Sequence, residues 1–90
     1  MATLYNLPNI SKVIEGRLLE VNITSPQVLF QIGSKEAFSR IKEKDSTVCI
    51  NMLYALEGAV EGIRWHYLSD NKKRELKEFY KTLQTEKFNC

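Results

Sequence analysis

The chain has 90 residues, of which 43% are hydrophobic, with 4 glycines and 2 prolines. This composition is typical of a globular domain and excludes a disordered or fibrous chain, so we expect one domain over residues 1–90. The 13 basic and 11 acidic side chains leave a net charge of +2, which excludes a uniformly basic nucleic-acid-coating peptide but permits a local basic patch.

The sequence carries no signal for a membrane or for secretion. No apolar stretch approaches the roughly 18 residues that a membrane span requires. The N-terminal segment lacks the charged and apolar regions of a secretory signal. We therefore expect a cytoplasmic protein with no membrane partner, in which Cys49 and Cys90 are thiols, and a disulfide between them is the less favoured alternative.

The first third of the chain predicts a tight connector and two helices. Proline and asparagine residues favour a turn within residues 4–11, and apolar residues then recur at helical spacing over residues 12–22. Ser25 suits the N-cap of a second helix and Pro26 its first position, while Gly33 suits its end.

The middle of the chain predicts a third helix, capped by Ser34, and a strongly hydrophobic fourth. Residues 45–47 are candidate caps for the fourth helix, Val48–Gly62, which is apolar on most sides and is therefore expected to be central. Gly58 lies among alanines at three- and four-residue spacing. We expect these small residues to let a neighbouring segment approach closely.

The last third predicts a compact aromatic turn, Arg64–Leu68, and a long final helix that begins at Ser69 and Asp70. One face of this helix carries Leu76, Phe79, Tyr80 and Leu83. The elements together predict an all-α fold, as a single compact domain of five helices.

Residues that support catalysis or metal binding are scarce. His66 is the single histidine, so neither a multi-histidine metal site nor a typical zinc spacing is present. Cys49 beside His66, or Glu57 paired with Glu61, are the remaining combinations. We interpret Cys49 as structural and the glutamates as the solvated side of a buried helix. We therefore expect a non-enzymatic protein without a cofactor or a metal.

The connector before the first helix resembles the hairpin of helix-hairpin-helix domains. In such a hairpin, backbone N–H groups beside a helix N-terminus bind phosphate, and a following lysine adds an ionic contact. Asn9, Ile10, Ser11 and Lys12 are the corresponding candidates. The alternative is a connector that only packs helices, with Ile10 in the core.

A second basic group begins the final helix. Lys72 and Lys73 lie in its first turns, and Lys77 and Lys81 continue the positive charge along one side. Positive charge near a helix N-terminus opposes the helix dipole, which favours a role in binding an anionic partner. Arg17 is a further candidate for phosphate contact, and the alternative for all of these residues is a solvated helix face.

Aromatic residues offer a third candidate feature. Trp65 and Tyr67 could stack on bases, although closure of the core is the favoured interpretation. We expect Tyr5, close to the hairpin, to be the exposed aromatic residue.

Four runs together resemble the C-terminal domain family of the bacterial competence regulator TfoX: Leu7–Ile10, Ile23–Ser25, Asn51–Gly62 and Arg64–Leu68. The resemblance covers about residues 5–83 and is most specific in the Asn51–Gly62 run. It implies a helical fold related to helix-hairpin-helix and SAM-like domains, a role in regulating DNA uptake or competence genes, and no catalytic residue. Ser11 departs from the glycine that the family usually carries. Larger relatives have a separate N-terminal domain, so we expect either a stand-alone version or an excised domain.

These observations predict a regulatory domain that binds DNA phosphates weakly and without sequence preference, through a degenerate hairpin. The alternative is a protein-interaction module that docks a regulatory protein or forms a homodimer. The apolar segment 48–60 is the surface that motivates this alternative.

Overall fold

The computed structural model describes residues 4–83, which form four α-helices and two single-turn 3-10 helices. The order is a first 3-10 turn (Leu4–Asn6), α1 (Lys12–Glu20), α2 (Pro26–Lys44), α3 (Ile50–Glu61), a second 3-10 turn (Trp65–Tyr67) and α4 (Asp70–Leu83). No strand occurs within residues 4–83, and the predicted all-α class is confirmed.

The prediction of five helices is wrong, because two of the predicted helices form the single element α2. Gly33 interrupts α2 with φ 85° and ψ 166°, a conformation that is essentially restricted to glycine. The residues on both sides remain helical, so the non-helical conformation affects one position. Gly33 was predicted to end a helix, and it does leave the helical conformation, but the chain resumes the helix at once.

Serine side chains cap three of the helices. Ser11 Oγ accepts a hydrogen bond from the Ile14 amide at 3.2 Å, and Ser25 Oγ accepts one from the Val28 amide at 3.3 Å. Ser69 caps α4 in the same way. Each cap supplies an acceptor for a backbone N–H that has no partner within its helix.

The start of the hydrophobic helix differs from the prediction. α3 begins at Ile50, after Cys49 and without a side-chain cap. Asp45 instead accepts hydrogen bonds from the amide and the hydroxyl of Thr47, in the turn that follows α2. The predicted thiol at Cys49 is also wrong, since Cys49 is disulfide-bonded. Cys90 lies outside the described residues.

α3 is the central helix, as its composition predicted. It packs against α2, α4 and the second 3-10 turn. The largest fully buried side chains come from the four α-helices, the first 3-10 turn and the connector between α1 and α2: Phe38, Leu4, Leu18, Ile23, Leu29, Ile41, Leu53, Leu56 and Leu76. Leu76 and Tyr80 of α4 are buried, so the predicted inner face of the final helix is confirmed.

Candidate nucleic-acid interface

The predicted hairpin is a tight turn that is tied to the far end of α3. The Ile10 amide donates to the Leu7 carbonyl at 3.3 Å, and Asn9 has φ 68°, in the left-handed region that asparagine tolerates better than most residues. A single 3-10 turn precedes it in the described part of the chain.

The Asn9 side chain faces inward and makes three hydrogen bonds to backbone groups. Its Nδ2 donates to the carbonyls of Ile63 at 2.9 Å and Ala55 at 3.4 Å. Its Oδ1 accepts from the Trp65 amide at 3.1 Å. The Ile63 carbonyl and the Trp65 amide belong to the segment that follows α3, so the side chain joins the hairpin to this segment and to the helix. The Asn9 side chain therefore fixes the hairpin to the protein.

The next three hairpin candidates have different surroundings. Ile10 is a core residue with 5% of its surface exposed. The Ser11 hydroxyl is occupied as the N-cap of α1. Lys12 is exposed, with its Nζ 5.8 Å from the centre of the Tyr5 ring. Tyr5 is exposed, as predicted, so this pair forms a basic and aromatic edge beside the hairpin.

Gly58 lies where the Asn9 side chain of the hairpin approaches α3. A Cβ atom at Gly58 would lie 2.8 Å from the Ile63 carbonyl oxygen and 3.1 Å from Trp65 Cα, and would also overlap Asn9 Nδ2. The prediction that small residues of α3 admit a close neighbour is confirmed at this position.

Trp65 links the hairpin to α4. Its ring stacks on Tyr54 at 5.7 Å and on His66 at 4.1 Å, and Lys73 Nζ lies 5.9 Å from its centre. The Trp65 amide also binds Asn9, so Trp65 contacts the hairpin through its backbone and Lys73 through its ring. Trp65 is half-buried, as expected, but Tyr67 is 76% exposed, so the expectation that it closes the core is wrong.

The remaining basic candidates divide into paired and unpaired side chains. Arg17 forms an ion pair with Asp45 at 3.0 Å. Lys72 lies 3.3 Å from Glu75 and 3.8 Å from Glu57. Lys77 is exposed and has no ion pair within residues 4–83. The structure thus brings Lys73 to the hairpin side, whereas Arg17 and Lys72 have intramolecular partners.

Lys72 belongs to a polar cluster that joins α2, α3 and α4. Ser34 donates to Glu57 at 2.6 Å, and Lys35 donates to Glu75 at 2.5 Å. These residues line a depression of about 250 Å³ next to Gly33. Glu57 is therefore not part of a solvated helix side, as its pairing with Glu61 suggested, but a half-buried acceptor within the cluster.

The cluster shifts the pKa values of three of its groups. Burial opposes the charged form of Lys72, but the neighbouring Glu57 and Glu75 carboxylates outweigh it and raise the Lys72 pKa. Hydrogen bonds from Lys35 and Lys72 lower the pKa of Glu75. The hydrogen bond that Glu61 shares with Glu57 raises the Glu61 pKa, and burial and charge repulsion add to this effect. The three helices are held together by mutually dependent charges.

Replacement of Glu61 by glutamine should stabilise the protein at neutral pH. The Glu61 pKa is raised in the folded state, so protonated Glu61 contributes its full stabilisation of the fold at acidic pH. This stabilisation is lost as pH rises through the folded-state pKa. We expect equal urea midpoints for E61Q and the parent near pH 4, and a higher midpoint for E61Q near pH 7. Glu78→Gln, at an exposed position on α4, is the matched control and should leave this pH dependence intact. Equal midpoints for E61Q and the parent at both pH values would contradict the expectation.

The combinations considered for catalysis are not assembled. Cys49 precedes α3 and His66 follows it, so a helix of 12 residues, about 18 Å long, separates them. No group of three metal-ligating side chains occurs within residues 4–83. In the same range, no helix has the length and apolarity needed to cross a membrane.

Comparison with known proteins identifies related chains and folds. Residues 1–80 match the TfoX C-terminal domain family. Protein Sxy of Escherichia coli (strain K12) is 35% identical over 80 residues, which are 89% of this chain but 38% of Sxy. This chain therefore spans well under half the length of that relative.

Two crystal structures of Listeria monocytogenes proteins of unknown function have the same fold. The triclinic form is 53% identical with a TM-score of 0.92, covering 98% of this chain and 100% of that one. The tetragonal form is 56% identical with a TM-score of 0.87, covering 89% of this chain and 99% of that one.

Proposed function

Because this chain belongs to the TfoX C-terminal domain family, we propose that it is a competence-regulator-like, non-enzymatic domain that contacts the phosphates of DNA. The contact surface consists of Lys12 and Lys73, which adjoin the hairpin and the Trp65 segment, together with Lys77, which is exposed four residues after Lys73 on α4. We name these three residues the basic surface.

The observation that carries the proposal is the connection from the hairpin through Trp65 to Lys73. Asn9 binds the Trp65 amide, and the Trp65 ring lies 5.9 Å from Lys73 Nζ. On the other side of the hairpin, Lys12 is exposed at the N-terminus of α1, where the helix dipole also favours an anion. Positive groups from two helices thus lie beside one rigid turn.

The side chains of the hairpin are occupied within the protein, since Asn9 and Ile10 support the turn from inside and Ser11 caps α1. The proposal therefore assigns the ionic phosphate contacts to the lysine side chains. Contacts of this kind neutralise phosphates without reading base sequence. The proposed binding is therefore weak, without sequence preference and strongly salt-dependent.

Titration of a labelled DNA duplex by fluorescence anisotropy at about 50 mM salt tests this proposal. We expect saturable binding that Lys73→Gln and Lys77→Gln each weaken several-fold, and a salt slope that falls by about 0.9 for each phosphate contact removed. Both lysines lie on the helix surface, and circular dichroism verifies that the variants are folded.

Lys44→Gln is the matched control. Lys44 is exposed beside the C-terminal end of α1, whereas the hairpin precedes its N-terminus, so the same loss of charge should leave the affinity nearly unchanged. Absence of binding at about 1 mM protein, or equal effects of the three substitutions, would refute the proposal.

The alternative of docking through segment 48–60 has little surface to support it. The exposed large hydrophobic side chains of residues 4–83 are Tyr5, Val13, Leu19, Phe30 and Tyr67. None of them lies on α3, since its neighbours cover its apolar sides. A protein-interaction surface has to be sought elsewhere.

A further inference from the structure

Exposed apolar residues concentrate around α1. Val13 and Leu19 lie on this helix with 67% and 47% of their surface exposed, and Tyr5 adjoins its first residue, Lys12. The buried side of α1 already contains Leu18, so these two residues are additional to the core-facing stripe. Single exposed apolar residues are ordinary, but two on a helix of 9 residues form a distinct outer face.

Gly16 lies at the centre of this outer face. A Cβ atom at Gly16 would meet nothing within 4 Å, so the space next to the backbone is open there. With 3.6 residues per turn, Lys12, Val13, Leu19 and Glu20 all point within about 60° of Gly16. Another helix could therefore approach the α1 backbone closely, with apolar and charged side chains on both sides of the crossing point.

The pattern of the outer face is complementary to itself. Lys12 and Glu20 lie four residues before and after Gly16, and Val13 and Leu19 lie three residues before and after it. When two copies of α1 cross antiparallel at Gly16, each layer contains Lys12 and Val13 of one copy with Leu19 and Glu20 of the other. On each side of the two-fold axis, Lys12 then lies near Glu20 of the other copy, and Val13 lies near its Leu19.

We propose that the outer face of α1 is an interface between two copies of this chain, packed antiparallel about Gly16. Charge complementarity favours a second copy over an unrelated partner, and it also selects the direction. A parallel arrangement would bring Lys12 against Lys12 and Glu20 against Glu20, which is repulsive. Glu20 retains 57% side-chain exposure despite its 3.7 Å approach to Arg17, and Lys12 is exposed, so both are accessible to a partner.

The interface is small, and the association is accordingly weak. One helix of 9 residues from each copy buries less than about 1,200 Å² in total, the range of transient complexes. We expect a dissociation constant between about 10 µM and 1 mM. The dimer is therefore a state that depends on protein concentration.

Sedimentation equilibrium of the full chain from about 10 µM to 1 mM tests the interface. For the parent protein, we expect the weight-average mass to rise from the monomer value of 10.4 kDa towards twice that value. Gly16→Leu blocks the close approach and Val13→Asp places a charge in the apolar layer. Each substitution should weaken association at least tenfold, and the space at Gly16 is open and Val13 is exposed, so folding is preserved.

Charge-reversal variants distinguish this interface from non-specific association. Lys12→Glu and Glu20→Lys should each weaken association, whereas the double variant K12E/E20K restores opposite charges across the two-fold axis and should regain affinity. Phe30→Ser, which removes an exposed apolar side chain from α2, is the control and should leave the mass distribution unchanged.

Three results would overturn the proposal: a monomer throughout the concentration range, a dimer that Gly16→Leu and Val13→Asp do not affect, or a K12E/E20K variant no better than the single reversals. These measurements are made without DNA, and duplex binding is tested through Lys73 and Lys77 on α4. The two proposals can therefore fail independently of each other.

Discussion

Replacement of Gly58 by alanine is expected to lower the free energy of unfolding by about 2–4 kcal/mol. The added methyl group would lie 2.8 Å from the Ile63 carbonyl oxygen and 3.1 Å from Trp65 Cα, both of which are backbone atoms that cannot rotate away. It would also displace the amide of Asn9, which binds the same segment. Urea unfolding followed by circular dichroism measures the loss.

Gly16→Ala is the matched control for this effect. Both glycines lie within helices, but a Cβ atom at Gly16 meets nothing within 4 Å. Removal of a helical glycine without a steric conflict should stabilise the monomer by up to about 1 kcal/mol. The opposite signs expected at Gly58 and Gly16 make the test specific. Equal effects of the two substitutions would show that the hairpin does not rest against Gly58.

Replacement of Asn9 by alanine is expected to destabilise the protein by a similar amount, about 2–4 kcal/mol. The change removes hydrogen bonds to the Trp65 amide and to the Ile63 and Ala55 carbonyls, and it leaves a side chain without local hydrogen bonding at φ 68°. Urea unfolding gives the loss of stability. Fluorescence of Trp65, the single tryptophan, reports the local release of the second 3-10 turn.

Two control variants separate the hydrogen bonds from the backbone conformation. Asn9→Gly removes the side-chain bonds but accepts a positive φ, so it should retain most of the loss. Asn22→Ala tests the backbone conformation alone, because Asn22 is exposed and has φ 66°. This substitution should lower the free energy of unfolding by only about 1 kcal/mol. An Asn9→Ala effect no larger than that of Asn22→Ala would mean that the three hydrogen bonds contribute little.

Together these variants test whether the hairpin is a rigid support. The basic surface depends on the same contacts, because Asn9 holds the segment whose indole adjoins Lys73. A release of the hairpin should therefore weaken duplex binding even though the Asn9 side chain faces inward. Asn9 is in this sense a positioning residue.

The local elements could be predicted from the sequence because their signals lie within a few residues of each other. Ser25 and Ser69 cap helices through bonds to amides three residues away. The glycines at 33 and 62 have positive φ at the positions where helical periodicity ends or breaks. The continuation of α2 past Gly33 could not be predicted, because packing against α3 decides whether two helical segments join.

The site could be predicted only in part, because its decisive contacts join distant positions. Ser34 and Glu57 are 23 residues apart, and Asn9 and Trp65 are 56 apart. From local spacing, Glu57 was interpreted as solvated and Asn9 as a candidate for phosphate contact. Neither interpretation could take account of the hydrogen-bond partners that folding brings from distant positions. For the exposed face of α1, the signal was present in Val13 and Leu19, which lie outside the core-facing stripe.

The sequence by itself determined the all-α class, the caps at Ser25 and Ser69, the central position of α3 and the family, since propensity, capping and apolar periodicity act over short distances. The tertiary structure alone decided which charged groups have partners. Arg17 and Lys72 pair with carboxylates from other elements, while Lys73 and Lys77 remain on the surface. The physical reason is that the energy of an ion pair or a buried hydrogen bond depends on distances through space, which the order of residues along the chain does not specify.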